Sequence, residues 1–142
     1  MARVGILGGT FNPPHVAHLV CAQEAREQLG LDVVVLMPAG DPPHKEVADD
    51  PGADARLELC RLAAADDPGL EVSALEVERP GPSYTVDTLR SLHAHEPGDE
   101  LTFIVGGDMA DSLPTWRESR EVLRLARLAV AERDELRAAD LA

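Results

Sequence analysis

A buried strand that leads into a glycine pair and then into a helix start constrains the fold of this chain more than any other feature. Val4 to Leu7 is a short apolar run, typical of a strand that is buried on both faces. Gly8-Gly9 follows at once and lets the backbone turn sharply and approach a ligand closely. Asn12 is a favourable helix N-cap, and Pro13-Pro14 suits a first helical turn, where a missing N–H costs nothing. Residues 4–19 therefore predict a strand, a glycine turn and the start of a helix.

Two histidines lie in the first turn of that helix. His15 and His18 are three residues apart, so they share one helix face, with about 5–6 Å between their Cβ atoms. The N-terminal end of a helix carries N–H groups without intrahelical acceptors and the positive end of the helix dipole. A glycine turn or two surface histidines alone would indicate little. Their combination with the double proline predicts a phosphate site.

Residues 8–18, Gly-Gly-Thr-Phe-Asn-Pro-Pro-His-Val-Ala-His, resemble the G-G-[TS]-F-[DN]-P-x-H-x-[GA]-H signature of bacterial nicotinate-mononucleotide adenylyltransferases, members of the H-x-G-H nucleotidyltransferase superfamily. Ala17 stands where the family usually has glycine. The resemblance implies transfer of the adenylyl group of ATP to nicotinate mononucleotide, giving deamido-NAD and pyrophosphate. The ATP-binding residues that it implies within this stretch are Gly8, Gly9, Thr10, Phe11, His15 and His18.

Strand-like runs alternate with helical patterns along the whole chain. The predicted strands are 4–7, 33–37, 70–77 (with a bulge), 101–105 and 128–131. The predicted helices are about 14–28 (ended by Gly30), 56–65 (with Leu57, Cys60 and Leu62 on its apolar face), 85–95 and 116–126. Residues from Glu132 onward are expected to be helical or frayed. Uninterrupted apolar strands between helices predict an α/β fold, a Rossmann-like parallel sheet with helices on both faces.

Two further motifs follow predicted strands, and ligands of such sheets bind beyond the carboxyl ends of the strands. Pro42-Pro43-His44-Lys45 resembles the family's P-P-H-K element, and the Lys45 charge can reach a phosphate. We expect His44 and Lys45 to bind substrate and Lys45 also to act in catalysis. Gly106-Gly107-Asp108 resembles the family's G-[AG]-D element, where a carboxylate accepts hydrogen bonds from ribose hydroxyls. We expect Gly106 and Asp108 to bind ATP.

Residues 82–89, Pro-Ser-Tyr-Thr-Val-Asp-Thr-Leu, have the form of a capped helix start. Ser83 or Thr85 is the expected N-cap, and Asp87 complements the helix dipole. The same residues resemble the family's S-Y-T-x-D-T-L motif. The resemblance implies that Thr85 helps to hold the nicotinate carboxylate.

Trp116 is the only tryptophan of the chain. In a chain with 3% aromatic residues it is either a packing anchor or a platform for a ligand ring. The segment resembles the family's L-x-x-W element, which implies that the indole stacks on the pyridine ring of the substrate. We therefore expect Trp116 and the adjacent Arg117 to bind the mononucleotide.

The implied reaction requires no nucleophilic side chain, because the 5′-phosphate of the mononucleotide is itself the nucleophile. It attacks the α-phosphorus of ATP in line, and pyrophosphate leaves. Such chemistry depends on positioning and on charge stabilisation. His15 and His18 are expected to donate hydrogen bonds to the phosphate oxygens, and Mg²⁺ to accompany ATP.

Composition narrows the remaining possibilities. The 142 residues carry a formal net charge of −13, which argues against nonspecific binding to nucleic acid or to a membrane surface. No apolar stretch approaches the roughly 20 residues that span a bilayer, and Met1-Ala2-Arg3 leads directly into a strand. We expect a single cytoplasmic domain over 1–142, with Cys21 and Cys60 reduced and buried. Its expected partners are ATP and nicotinate mononucleotide, and the sequence leaves open whether the chain forms a homo-oligomer.

Alternatives remain at this stage. The family's second phosphate motif, I-S-S-T-x-[IL]-R, does not occur, so the chain is expected to be truncated at its C-terminus relative to the family. A noncatalytic nucleotide-binding remnant is therefore one alternative. Another H-x-G-H transferase, acting on nicotinamide mononucleotide or pantetheine phosphate, is a second. A dinucleotide-binding oxidoreductase is disfavoured, because the glycines read G-x-x-G-G rather than G-x-G-x-x-G and no acidic residue ends the second strand.

Overall fold

The computed structural model describes residues 2–9, 11, 16–40, 52–79, 84–106, 110–131 and 136–139. Within these ranges six strands form one sheet in the order β3-β2-β1-β4-β5-β6. The strands are β1 (Arg3–Gly9), β2 (Val33–Pro38), β3 (Leu70–Val72), β4 (Glu100–Gly106), β5 (Arg127–Ala131) and β6 (Leu136–Ala139). The first five are parallel, and β6 pairs antiparallel with β5. The predicted parallel sheet is confirmed, with an antiparallel strand added at one edge.

The helices cover both faces of this sheet, as predicted. They are α1 (Val16–Leu29), α2 (Ala53–Ala64), α3 (Leu75–Glu78), α4 (Thr85–His95) and α5 (Ser119–Leu125), and a 3₁₀ turn spans Leu113–Thr115. Gly30 follows α1 with φ +63°, the left-handed conformation that ends many helices, so this prediction is confirmed.

Two hydrophobic clusters, one on each face, hold the helices to the sheet. Successive strand residues point to opposite faces. Phe103 of β4 therefore packs in the cluster that includes Val86 of α4 and Val122 of α5. Its neighbour Ile104 packs in the cluster that includes Ala22 and Ala25 of α1 and Cys60 of α2. The alternation along one strand thus builds both halves of the core.

The predicted strand over 70–77 is wrong beyond Val72. The chain leaves the sheet there, and the Ser73 hydroxyl accepts a hydrogen bond from the Leu75 N–H at 3.2 Å as the short helix α3 begins. The alternation that slips after Val72 marks the end of a strand rather than a bulge. Such short apolar runs do not distinguish a strand from a helix by periodicity.

Three other element predictions need correction. The helix predicted over 116–126 begins only at Ser119 and ends at Leu125. The expectation of helix or fraying after Glu132 is wrong for residues 136–139, which form β6 and pair with backbone groups that β5 would otherwise leave at a sheet edge. Helix α2 begins at Ala53, three residues before the predicted start. Its buried face carries Arg56, Leu57, Cys60 and Ala64, whereas Leu62 is 66% exposed.

Both cysteines are free thiols, and both lie on helices. Cys60 is buried as predicted, but Cys21 is only half-buried. Burial raises the pKa of both thiols, that of Cys60 to about 11 despite the opposing charge of Arg56. Among the residues described above, no helix is long and apolar enough to cross a membrane. The cytoplasmic location stays a prediction.

Candidate active site

The candidate site lies where the strand order of the sheet reverses. Strand β1 pairs with β2 on one side and with β4 on the other, and the chain winds away in both directions from that point. Ligands of open α/β sheets bind in the crevice at the carboxyl ends of such strands. Gly8 and Gly9 end β1 there, and Gly106 ends β4. All three glycines are exposed, so the structure places these predicted ATP-binding residues together at an open edge.

Phe11 and His18 pack beside Gly9. The Phe11 ring lies 3.5–3.8 Å from the point that a Cβ on Gly9 would occupy. The same ring packs edge-on with the His18 imidazole, at 4.8 Å between ring centroids and with an angle of 66° between the planes. Phe11 is 2% exposed and has φ +53°, which is uncommon for a bulky side chain and typical of strained functional turns. The half-buried His18 is therefore held next to the glycine turn, as the sequence predicts.

Phe103 connects Trp116 with the same glycine pair on the other face of the sheet. The Phe103 ring lies 3.7–3.8 Å from the point that a Cβ on Gly8 would occupy. Trp116 packs edge-on against Phe103 at 6.0 Å between centroids, and its Nε1–H donates to the Ser112 Oγ at 2.9 Å. The indole is half-buried, so it packs on the core and also keeps an accessible surface. Gly8-Gly9 thus lies between two ring pairs, Phe11 with His18 on one side and Phe103 with Trp116 on the other.

Thr85 and Arg117 lie on the Trp116 side. Helix α4 begins at Thr85, and Tyr84 is the N-cap without a side-chain capping bond, so the prediction that Thr85 caps the helix is wrong. Ser83, the other expected N-cap, lies outside the described residues. Thr85 instead contributes the first N–H of the helix, and such N–H groups have no intrahelical acceptor. The Arg117 guanidinium carbon lies 4.1 Å from the centroid of the Tyr84 ring, a cation–π contact. The structure therefore places Thr85, Trp116 and Arg117 in one region.

A buried arginine that the sequence analysis overlooked supports the end of β2. Arg56 is 0% exposed and donates through Nη1 to the Ala39 carbonyl and through Nη2 to the Gly40 carbonyl at 3.3 Å. These residues follow β2 at the same edge of the sheet, where the Ala39 N–H donates to the Gly9 carbonyl at 2.9 Å. Arg56, Cys60 and Ala64 are spaced at i, i+4 and i+8, which puts all three on one helix face. This spacing is the sequence signal that could have indicated the buried position of Arg56.

A second buried polar group connects α3 with α4. The Thr88 hydroxyl donates to Glu76 Oε2 at 2.9 Å and accepts from Arg79 Nη1 at 3.1 Å, and Thr88 is 1% exposed. Burial raises the pKa of Glu76, and the Thr88 hydrogen bond and the Arg79 charge partly oppose this rise. Thr88 lies one turn after Thr85, so the network fixes the first turn of α4. Nothing in the sequence pattern indicated it, because its members come from different elements.

The remaining predicted site residues lie outside the described part of the chain: Thr10, His15, His44, Lys45 and Asp108. Their roles stay predictions. Within the described part, no group of three or more His, Cys, Asp or Glu side chains could hold a metal ion.

Comparison with known proteins places this geometry in a family. Residues 6–141 match the cytidylyltransferase-like family model. A protein of Citrifermentans bemidjiense named probable nicotinate-nucleotide adenylyltransferase is 50% identical over 131 residues, covering 92% of this chain and 61% of that protein. One of Trichlorobacter lovleyi with the same name is 48% identical, covering 94% and 62%. The chain thus spans about three-fifths of the length of these curated relatives.

Solved structures show the same fold. The Plasmodium falciparum nicotinic acid mononucleotide adenylyltransferase complexed with NaAD superposes with a TM-score of 0.81 at 16% identity, covering 99% of this chain and 68% of that one. The putative nicotinate-nucleotide adenylyltransferase of Vibrio parahaemolyticus superposes with a TM-score of 0.74 at 20% identity, covering 95% and 76%. The resemblance read from residues 8–18 is confirmed. This chain belongs to the cytidylyltransferase-like family.

Proposed function

We propose that this chain transfers the adenylyl group of ATP to nicotinate mononucleotide, giving deamido-NAD and pyrophosphate. The observation that carries the proposal is the position of Gly8-Gly9 at the strand-order reversal, with the Phe11–His18 ring pair on one side and the Phe103–Trp116 ring pair on the other. In this proposal a side chain that would bind phosphate and one that would stack on the pyridine ring lie on opposite sides of one open backbone turn. The names of the curated relatives support the same reaction.

On the His18 side, the site would bind the triphosphate of ATP. The exposed Gly8 and Gly9 permit close approach of the phosphates, and α1 follows with its N-terminal end toward them. His18 would donate a hydrogen bond to a phosphate oxygen, and the packing of its ring on Phe11 limits its movement. His15 and Lys45, from their motifs, would add further donors. Each donor stabilises the charge that develops at the α-phosphoryl group during in-line attack.

On the Trp116 side, the site would bind the mononucleotide. The exposed part of the indole would stack on the pyridine ring, and the first N–H groups of α4 at Thr85 would bind its carboxylate. Arg117, held over Tyr84, adds positive charge in a chain whose net charge is −13. An amide in place of the carboxylate would lose both the charge attraction and the match to N–H donors.

Magnesium would enter with ATP. Mg²⁺ keeps much of its hydration shell and binds to enzymes of this kind through substrate phosphates with few protein carboxylates. The donor set described here, N–H groups and an imidazole, suits phosphate oxygens rather than the ion itself. The ion would neutralise charge on the leaving pyrophosphate, whereas the chain's own residues bind and orient the reacting groups. The cytoplasmic location, where both nucleotides are available, is part of the same proposal.

The test is product formation from ATP with three acceptors: nicotinate mononucleotide, nicotinamide mononucleotide and pantetheine phosphate. The proposal predicts deamido-NAD as the main product, and calorimetry should show nicotinate mononucleotide binding more tightly than its amide. Product from pantetheine phosphate alone would overturn the assignment of the acceptor. Binding of both substrates without any product would favour a noncatalytic nucleotide-binding role.

A further inference from the structure

Two elements that carry the proposed mononucleotide site are joined by an ion pair across 28 residues. Arg90 of α4 donates through Nη1 and Nη2 to Oε2 and Oε1 of Glu118, at 3.1 and 2.8 Å. This is a bidentate pair, the geometry in which a guanidinium and a carboxylate fix each other's orientation. Helix α4 begins at Thr85, and Glu118 follows Trp116 and Arg117 directly. The pair therefore links the two halves of that site.

Glu118 occupies a backbone conformation that a glutamate rarely adopts. Its φ is +50° and its ψ is +48°, in the left-handed region, and its carbonyl accepts the first hydrogen bonds of α5 from Glu121 and Val122. Its side chain makes no capping bond to its own helix. The conformation sets the direction in which the chain passes from Arg117 into α5. A residue held there against its own preference needs support from its surroundings, and the Arg90 bond supplies it.

Contacts on the other side of Trp116 complete the attachment. The indole Nε1–H is bonded to Ser112, and the Trp116 N–H donates to the Leu113 carbonyl at 3.0 Å. Arg117 lies over Tyr84, immediately before α4. The segment 116–117 is thus fixed toward the 3₁₀ turn at its start and toward α4 at its end. The hydrogen bond from Arg90 also lowers the pKa of Glu118.

We propose that Arg90 and Glu118 are positioning residues that hold Trp116 and Arg117 against the start of α4 for binding of the mononucleotide. The inference rests on the proposed function for its ligand, but the position of Trp116 can be measured without any ligand. Neither residue is assigned a contact with the mononucleotide in the proposed site. Their effect is therefore on affinity and KM for nicotinate mononucleotide, with KM for ATP unchanged.

The chain offers an unusually direct readout, since Trp116 is its only tryptophan. Intrinsic fluorescence and its quenching by acrylamide report on this one side chain. The variants are Arg90→Leu, which removes the guanidinium, and Arg90→Lys, which keeps a point charge without the bidentate fork. The matched control is Arg124→Leu, because both hydrogen bonds of the bidentate Arg124–Glu121 pair lie within α5.

Arg90→Leu should increase acrylamide quenching of Trp116 and raise the Kd for nicotinate mononucleotide about two- to fivefold, the range expected for one exposed but well-oriented pair. Arg90→Lys should recover part of the loss, and Arg124→Leu should match the unchanged protein. In a cycle with Glu118→Gln, the double variant should be no worse than the worse single variant, because the two side chains act as one unit.

Quenching and affinity in Arg90→Leu equal to those in Arg124→Leu would overturn the inference. So would an equal rise in KM for ATP and for the mononucleotide, which would indicate general destabilisation. If the unchanged protein binds no nicotinate mononucleotide, the proposed function fails, and acrylamide quenching alone decides the positioning role.

Discussion

Gly40→Ala tests the closest backbone approach at the edge of the candidate site. A Cβ on Gly40 would lie 2.3 Å from the Glu76 carbonyl oxygen and 3.1 Å from both the Glu76 carbonyl carbon and the Val77 Cα. All three are backbone atoms of α3, so no side-chain rotation can relieve the contact. Restoring a carbon–oxygen distance of about 3.3 Å requires α3 and the end of β2 to separate by about 1 Å.

The magnitude follows from what that separation disturbs. The Gly40 carbonyl accepts a hydrogen bond from the buried Arg56, and Glu76 of α3 accepts one from the buried Thr88. Neither the segment after β2 nor α3 can therefore move freely. Overpacking of this kind costs about 1–3 kcal/mol, and a clash with backbone belongs at the upper end. Alanine also reduces the entropy of the unfolded chain, which returns about 0.4–1 kcal/mol. We expect a net loss of about 2 kcal/mol, or a Tm lower by about 6–8 °C in a domain of this size.

The assay is thermal unfolding followed by circular dichroism, with Gly98→Ala as the control. Gly98 lies in the turn before β4 and has no atom within 4 Å of its Cβ position, so only the unfolded-state effect applies there. Its Tm should stay constant or rise by about 2 °C. A Tm for Gly40→Ala within 2 °C of that of Gly98→Ala would refute the close approach of β2 and α3.

Three further expectations concern buried polar and thiol groups. Burial raises the pKa of Glu76, so its contribution to stability is full below pH 4.5 and falls as the pH rises through the folded-state pKa. The Tm of Glu76→Gln minus that of the unchanged protein, measured from pH 4 to 8, should therefore increase with pH. A Tm difference that stays constant over this range would contradict the expectation. Thr88→Val should lower the free energy of unfolding by about 1–3 kcal/mol, because Glu76 loses a buried hydrogen-bond donor. Urea unfolding measures this change. An unchanged free energy of unfolding would show that the Glu76–Thr88–Arg79 network is not formed. Cys60, with a pKa of about 11, should react with a disulfide reagent only in denaturant, whereas half-buried Cys21 should react in the native protein. Mass spectrometry identifies the modified cysteine. Modification of Cys60 before Cys21 would contradict the assigned burial.

The sequence predicted the central strands and the glycine turn well because each depends on local chemistry. Val4 to Leu7 carries no polar side chain, and Leu101 to Val105 is apolar apart from Thr102. Such runs are typical of a strand covered on both faces, and both lie in the middle of the sheet. Gly8-Gly9 then lies at the strand-order reversal because parallel strands share one carboxyl edge. His18 followed from the motif after the first strand, and Trp116 followed from its resemblance to the family's L-x-x-W element.

Features that depend on contacts between distant residues were not predicted. Arg56 lies in the interior because two carbonyls after β2 accept its hydrogen bonds, and a charged residue otherwise indicates an exposed position. The Arg90–Glu118 pair joins two helices through tertiary packing, and the left-handed backbone of Glu118 has no local signal. The edge strand β6 likewise depends on the exposed edge of β5 rather than on its own short sequence.

The most direct test of the account is the rate of deamido-NAD formation from ATP and nicotinate mononucleotide in His18→Ala, compared with His93→Ala on the exposed end of α4. The account predicts that His18→Ala lowers kcat by about 10²–10³, as expected for loss of one donor to the reacting phosphoryl group, while its Tm stays close to that of the control. His93→Ala should retain full turnover. Near-normal turnover in His18→Ala would contradict the placement of the α-phosphoryl group beside Gly8-Gly9.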